Sequence, residues 1–164
     1  MRAVRERTVR SLVYFAAGLG LIVAIFAAAE FYDASLRAVC SVSAFFSCSA
    51  VDSSGYTNTL GLPDWLWGVG GFVLILLFAG LAEQRPEDRR RAWLLLAVTT
   101  LGVGVSLYLL YVELAIIHAL CLVCASDYLL GGVAWLGALA LVLRPRETAG
   151  DGERESEGND ARTA

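Results

Sequence analysis

The chain contains no lysine: its 13 basic residues are all arginine, set against 16 acidic residues and a single histidine. Neither sign gathers into a patch of the kind that holds nucleic acid, which sets that class of function aside. Charged residues are also scarce in four long stretches and gather into a few short blocks outside them. Hydrophobic residues make up 57% of the 164 and the mean hydropathy is +0.62. An ordinary soluble domain is roughly 45–50% apolar. The composition excludes such a domain and fits one integral membrane domain.

Runs long enough to cross a bilayer, about 20 apolar residues each, place spans at about 11–31, 65–82, 92–112 and 120–143. The expected fold class is all-α: a four-helix membrane bundle over residues 1–146, with an outer loop, 32–64, between the first two spans. The acidic stretch 147–164 has no large apolar residue and is expected to be a disordered cytoplasmic tail. Arg2, Arg5, Arg7 and Arg10 precede the first span; Arg85, Arg89, Arg90 and Arg91 separate the second from the third; Arg144 and Arg146 follow the fourth. The loop 32–64 holds only Arg37. Positive charge stays inside, so both termini are expected in the cytoplasm and the loop outside a plasma membrane. The first apolar run exceeds the roughly 7–15 residues of a secretory signal core and is taken as a retained helix. Gly18, Gly20, Gly70, Gly71, Gly102 and Gly104 lie inside spans, where small residues let helices approach. In the loop, Leu36–Phe46 is apolar enough for a short surface helix, Ser53–Thr59 is rich in turn formers, and Asp64 after Pro63 is placed to cap the second span.

The four cysteines carry the chemistry. Cys121-Leu122-Val123-Cys124 heads the fourth span, while Cys40 and Cys48 share the outer loop. On the oxidising side of a membrane, cysteines usually form disulfides, and four allow three pairings, so inert staples are one reading. A zinc site is another, but Cys₄ sites normally show two short Cys-x₂₋₄-Cys arms, and Cys40-x₇-Cys48 is not one. The redox reading rests on position. A thiol at a helix start is favoured as thiolate by free N–H groups and the helix dipole, and its partner one turn in can close a disulfide. A pair in a mobile loop suits exchange first with an external thiol, then with a buried disulfide. Cys121, Cys124 and Tyr128 fall at i, i+3 and i+7, on one helical face. Asp127 is a carboxylate within a span, either functional or near water. A non-enzymatic four-span scaffold with a loop disulfide would account for Cys40 and Cys48, but not for Cys121, Cys124 and Tyr128 on one face.

The order Cys40-x₇-Cys48, Ser54, a long outer loop, then Cys121-x₂-Cys124 four residues before Tyr128 resembles the vitamin K epoxide reductase family and its bacterial and archaeal homologues, over about 11–143. The resemblance implies a four-helix bundle around a quinone, with the loop and its short helix as a lid. It implies that Cys121–Cys124 is the active-site pair with Cys124 facing the quinone. Cys40 and Cys48 become a shuttle pair in which Cys48 reaches Cys121. Tyr128 would hydrogen-bond a quinone oxygen, Asp64 would stand where vertebrate enzymes have an asparagine, Trp67 would wall the pocket, and Ser54, Val51 and Tyr56 would lie in the lid. The implied reaction is disulfide generation. Electrons from a separate thioredoxin-fold thiol oxidase pass through Cys40–Cys48 and Cys121–Cys124 to a membrane quinone of the menaquinone, ubiquinone or vitamin K type. Reduction of vitamin K epoxide itself is the alternative within the family. No fused thioredoxin-like domain and no metal are expected.

Overall fold

The computed structural model describes residues 2–55, 58–59, 61–84 and 88–143. Four long helices build it: α1 (Arg2–Tyr32), α4 (Asp64–Gln84), α5 (Arg89–Tyr111) and α6 (Leu122–Val142). Two short helices, α2 (Ala34–Cys40) and α3 (Cys48–Asp52), and a two-stranded ribbon, β1 (Asn58–Thr59) with β2 (Leu62–Pro63), lie between α1 and α4. Each long helix is long and apolar enough to cross a membrane. At about 1.5 Å per residue, the 21 residues of α4 and of α6 reach about 31 Å, the thickness of a bilayer's hydrocarbon core. The 31 residues of α1 run about 46 Å and must project beyond it.

The bundle closes as a ring: α1 packs on α4 and α6, and α5 packs on the same two helices. Its outer surface is apolar, with Phe15, Ile22, Leu101 and Leu129 each more than 60% exposed. So much exposed apolar surface would aggregate in water, and lipid is the solvent that suits it. Its interior is lined with small residues, among them Ala16, Ala17 and Ala24 of α1 and Ala134 and Ala138 of α6.

Glycine packing is narrower than the sequence suggests. Of the six span glycines singled out, Gly20 alone sits in a close contact, against the Phe72 ring; a side chain at the other five would meet open space. The tightest other approach is at Gly137, where a Cβ would lie 2.4 Å from Cγ2 of Val13. Valine in a helix has one preferred rotamer and cannot swing aside cheaply. Gly137→Ala is therefore expected to destabilise by about 1–3 kcal/mol and to lower the melting temperature in detergent. Gly104→Ala, which meets nothing, should leave it unchanged or raise it; equal effects of the two would refute this seam.

Two local features bring the cysteines together. Beyond Tyr111 the third long helix widens into a π-helical turn, Val112–Ile117, a form that is rare and concentrated at functional sites. His118 ends it in the left-handed region, at φ 60°, and the N–H groups of His118 and Ala119 both donate to the Glu113 carbonyl. The expected span ended at Val112; the helix continues because the wider turn still satisfies its backbone. In the connection between α1 and α4, the helix expected over Leu36–Phe46 stops at Cys40, and Ser43–Phe46 turns back instead. Asp33 caps α2, accepting from the Ser35 N–H at 2.8 Å and its hydroxyl at 2.6 Å. These bonds from Ser35 hold the Asp33 carboxyl below its ordinary value. Asp52, at the end of α3, is pushed up by burial, which the nearby Arg37 opposes.

Candidate functional site

Three of the four cysteines converge where α3 meets the π-turn. Cys40 ends α2, Cys48 begins α3, and the two are joined as a disulfide with Cα atoms 5.7 Å apart. Cys48 Sγ lies 3.3 Å from Cys121 Sγ. The sulfurs of Cys40, Cys48 and Cys121 all fall within 4.8 Å of one another. Cys121 and Cys124 are free thiols, the first buried and the second half-buried.

Main-chain pairing creates this approach. The Leu120 N–H donates to the Phe45 carbonyl at 2.7 Å, and the Ser47 N–H donates to the Leu120 carbonyl at 3.2 Å. Phe46 and Leu120 form a one-residue parallel bridge. Each side of that bridge leads straight into a cysteine: Phe46 through Ser47 into Cys48, Leu120 directly into Cys121.

Cys121 is the N-cap of α6, with extended backbone (φ −83°, ψ 119°), and its sulfur accepts the Cys124 N–H at 3.3 Å. A sulfur acting as an N-cap acceptor takes up one of the N–H groups that the first turn leaves without a main-chain partner. Val51 is 6% exposed and packs with Cys40, Cys48, Ala119 and Cys121. Water is thereby kept from the exchanging sulfurs.

The remaining sequence candidates are scattered around this centre. The Ser54 hydroxyl donates to the Val51 carbonyl at 2.6 Å, closing the end of α3. Asp64 is the first residue of α4, within its first turn rather than ahead of it, and its charge acts on Asp52. Trp67 sits one turn into α4, half-buried. Tyr56 lies outside the described residues, as does the stretch 147–164 expected to be a tail. Asp127 is half-buried; its Oδ1 has no hydrogen-bond partner among the described residues. Its Oδ2 lies beside Gly68 of α4, where a Cβ would come within 3.4 Å.

Tyr128 is on the same face as the two cysteines, yet its phenol has a protein partner: it donates to Glu113 Oε1 at 2.8 Å. Glu113 Oε2 in turn accepts the Cys121 N–H at 3.1 Å. Glu113 is 3% exposed, and the sequence pattern alone hides it within a short connection between spans. The available sign was a carboxylate closing a long apolar run eight residues before Cys121; an ionisable group at such a depth is functional by default.

A four-helix membrane bundle with a disulfide in sulfur contact with a free thiol of a Cys-x-x-Cys pair defines a membrane redox protein. The chain belongs to the vitamin K epoxide reductase family, whose family model matches residues 11–142, a stretch that holds α4, α5, α6, most of α1 and all four cysteines. Members of that family are membrane oxidoreductases whose chemistry couples disulfides and quinones.

Proposed function

We propose that this protein is a quinone-linked thiol oxidoreductase that generates disulfides in proteins outside the membrane. The observation that carries the reading is the 3.3 Å separation of Cys48 and Cys121 sulfurs while Cys48 is disulfide-bonded to Cys40. Reacting atoms about 3–3.5 Å apart are positioned for attack. A thioredoxin-fold donor reduces Cys40–Cys48. The freed Cys48 thiolate attacks Cys121 of an oxidised Cys121–Cys124 pair, forming a Cys48–Cys121 bond and releasing Cys124. Cys40 then attacks Cys48, restoring Cys40–Cys48 and releasing Cys121. Both active-site thiols are now reduced and Cys40–Cys48 is oxidised, the pairing present in the structure. One disulfide breaks as each new one forms, so thiol–disulfide exchange is sufficient, with no other oxidant in the lid.

The residues present fit a quinone. Asp127 Oδ1 is a buried polar atom without a partner among the described residues, and Tyr128 holds its hydroxyl, bonded to Glu113, one turn below Cys124. A quinone bound there accepts two electrons and two protons. Tyr128 would orient one of its oxygens, Cys124 would face the ring, and Trp67, Asp64 and the lid residues Val51, Ser54 and Tyr56 would complete the enclosure. Arginine placement supports cytoplasmic termini and an outer lid.

Membranes containing the protein, given dithiothreitol and menaquinone, should produce quinol in proportion to protein. Absence of thiol-dependent quinol formation, with the protein folded, would exclude the reading. In intact cells a membrane-impermeant thiol reagent should reach Cys40 after reduction and miss a cysteine placed at Arg89. Labelling at both positions would overturn the topology.

A further inference from the structure

Glu113 joins the two halves of the site, and the relay of sulfurs makes no use of it. One carboxylate oxygen holds the backbone of Cys121, the other the hydroxyl of Tyr128. The Cys124 thiol interacts with the same carboxylate. Among the described residues, the groups acting on Glu113 are Tyr128, Cys124 and the N-cap Cys121 at α6 and Asp64 of α4, and none of these is a cation. Glu113 can therefore change protonation without breaking an ion pair.

A phenol has a single proton to give. While Glu113 is a carboxylate, the Tyr128 proton is committed to Oε1. Once Glu113 is protonated, its own O–H can donate to the phenol oxygen, and the Tyr128 proton is released to point elsewhere. We propose that Glu113 takes the proton lost by the Cys124 thiol and, on receiving it, turns the Tyr128 hydroxyl from the protein towards the quinone oxygen. The inference rests on the quinone-linked reading above and adds the path of the proton to it.

The step balances. Cys121 and Cys124 together give up two electrons and two protons, and the sulfur–sulfur bond between them forms. Cys124 passes its proton to Glu113; Tyr128 delivers its proton to one quinone oxygen and recovers one from Glu113. The second proton, from Cys121, leaves to the solvent beyond the lid, from which the other quinone oxygen takes its own. Both electrons go to the quinone, which departs as quinol. The thiols are thus deprotonated as the quinone oxygen is protonated, and the charge in the buried site stays constant.

Glu113→Gln tests this, because the amide can still accept from the Cys121 N–H and can donate to Tyr128, but cannot take a proton. A positioned proton-transfer group is worth about 10²–10⁴-fold in rate. Quinone reduction with dithiothreitol should fall at least about 100-fold in this variant, while reduction of Cys40–Cys48 by a protein dithiol is unchanged. Combining Glu113→Gln with Tyr128→Phe should cost no more than the worse single variant, since the two act as one unit. An independent readout needs no quinone. The infrared difference spectrum between the oxidised and reduced Cys121–Cys124 pair should contain a carboxyl C=O band that disappears in Glu113→Gln. Persistence of that band in the variant, or a rate within about threefold of wild type, overturns the proposal. If the amide variant does not fold, Glu113→Asp carries the same test: its band must shift in frequency, and an unshifted band overturns the assignment. If the wild type reduces no quinone, the functional reading falls, and the infrared band still decides whether Glu113 takes up the thiol proton.

Discussion

Cys121→Ala and Cys124→Ala should each reduce thiol-driven quinone reduction to the uncatalysed background, whatever the donor, whereas Cys40→Ala should do so only with a protein donor. The reason is the order of the sulfurs. Cys124 is the thiol furthest along, one turn into α6 beside Glu113 and Tyr128. No other sulfur can replace it in closing a bond to Cys121 that faces the bundle interior, because Cys40 and Cys48 approach from the α3 side. Cys40 acts differently. In the proposed relay it resolves the bond between Cys48 and an attacking protein, and it later resolves the bond between Cys48 and Cys121. A small dithiol carries its own second sulfur, so dithiothreitol can do without Cys40. The assay is quinol formation with two donors, dithiothreitol and a reduced thioredoxin-fold protein. Identical behaviour of Cys40→Ala and Cys124→Ala with dithiothreitol would mean that the four cysteines do not work as two pairs.

Cys124→Ser should accumulate a Cys48–Cys121 disulfide as its predominant state. Cys121 is already 3.3 Å from Cys48, and Cys48 is half of an existing disulfide. Attack breaks Cys40–Cys48 and forms Cys48–Cys121. In the wild type, Cys124 can then attack Cys121; serine cannot, so that exit is closed and only the return attack of Cys40 on Cys48 remains. Non-reducing peptide mapping will show which cysteines are joined. Because Cys40, Cys48 and Cys121 all lie within 4.8 Å, simple nearness does not dictate the answer. A Cys40–Cys121 link would reverse the parts assigned to the two lid cysteines.

The four-helix class was legible because a bilayer accepts little else: each span had to be an apolar run, and the polar blocks between them had to be short. The placement of Cys121 at a helix start was legible for a similar reason, since a Cys-x-x-Cys pair at the border between a polar and an apolar segment falls on a helix's first turn. Glu113 was hidden by its neighbours. It stands in Val112–Ile117, a stretch that sequence periodicity treats as a turn, and only the π-helical widening aims its carboxylate back across the bundle. Tyr128 was read towards a ligand, and nothing in the sequence signals that its hydroxyl also has a protein carboxylate, Glu113, within reach. The pairing of Phe46 with Leu120 joins positions far apart in the chain through backbone atoms, which leave no imprint on side-chain pattern. The glycines erred in the other direction: a small residue permits close approach without requiring it, and of those six only Gly20 uses the permission.

That backbone bridge separates two jobs that a side-chain contact would have merged. The hydrogen bonds from Leu120 to Phe45 and from Ser47 to Leu120 hold Cys48 over Cys121 through amide and carbonyl groups that every residue except proline possesses in full. The surface around Cys40, including the exposed side chains of Val39, Val42 and Phe45, can therefore be rewritten by mutation while the sulfur-to-sulfur alignment stays the same. On the proposed reading, donor choice and electron-transfer geometry are encoded in different atoms of one short segment, so a lineage could change the protein it oxidises without rebuilding the sulfur alignment beneath it.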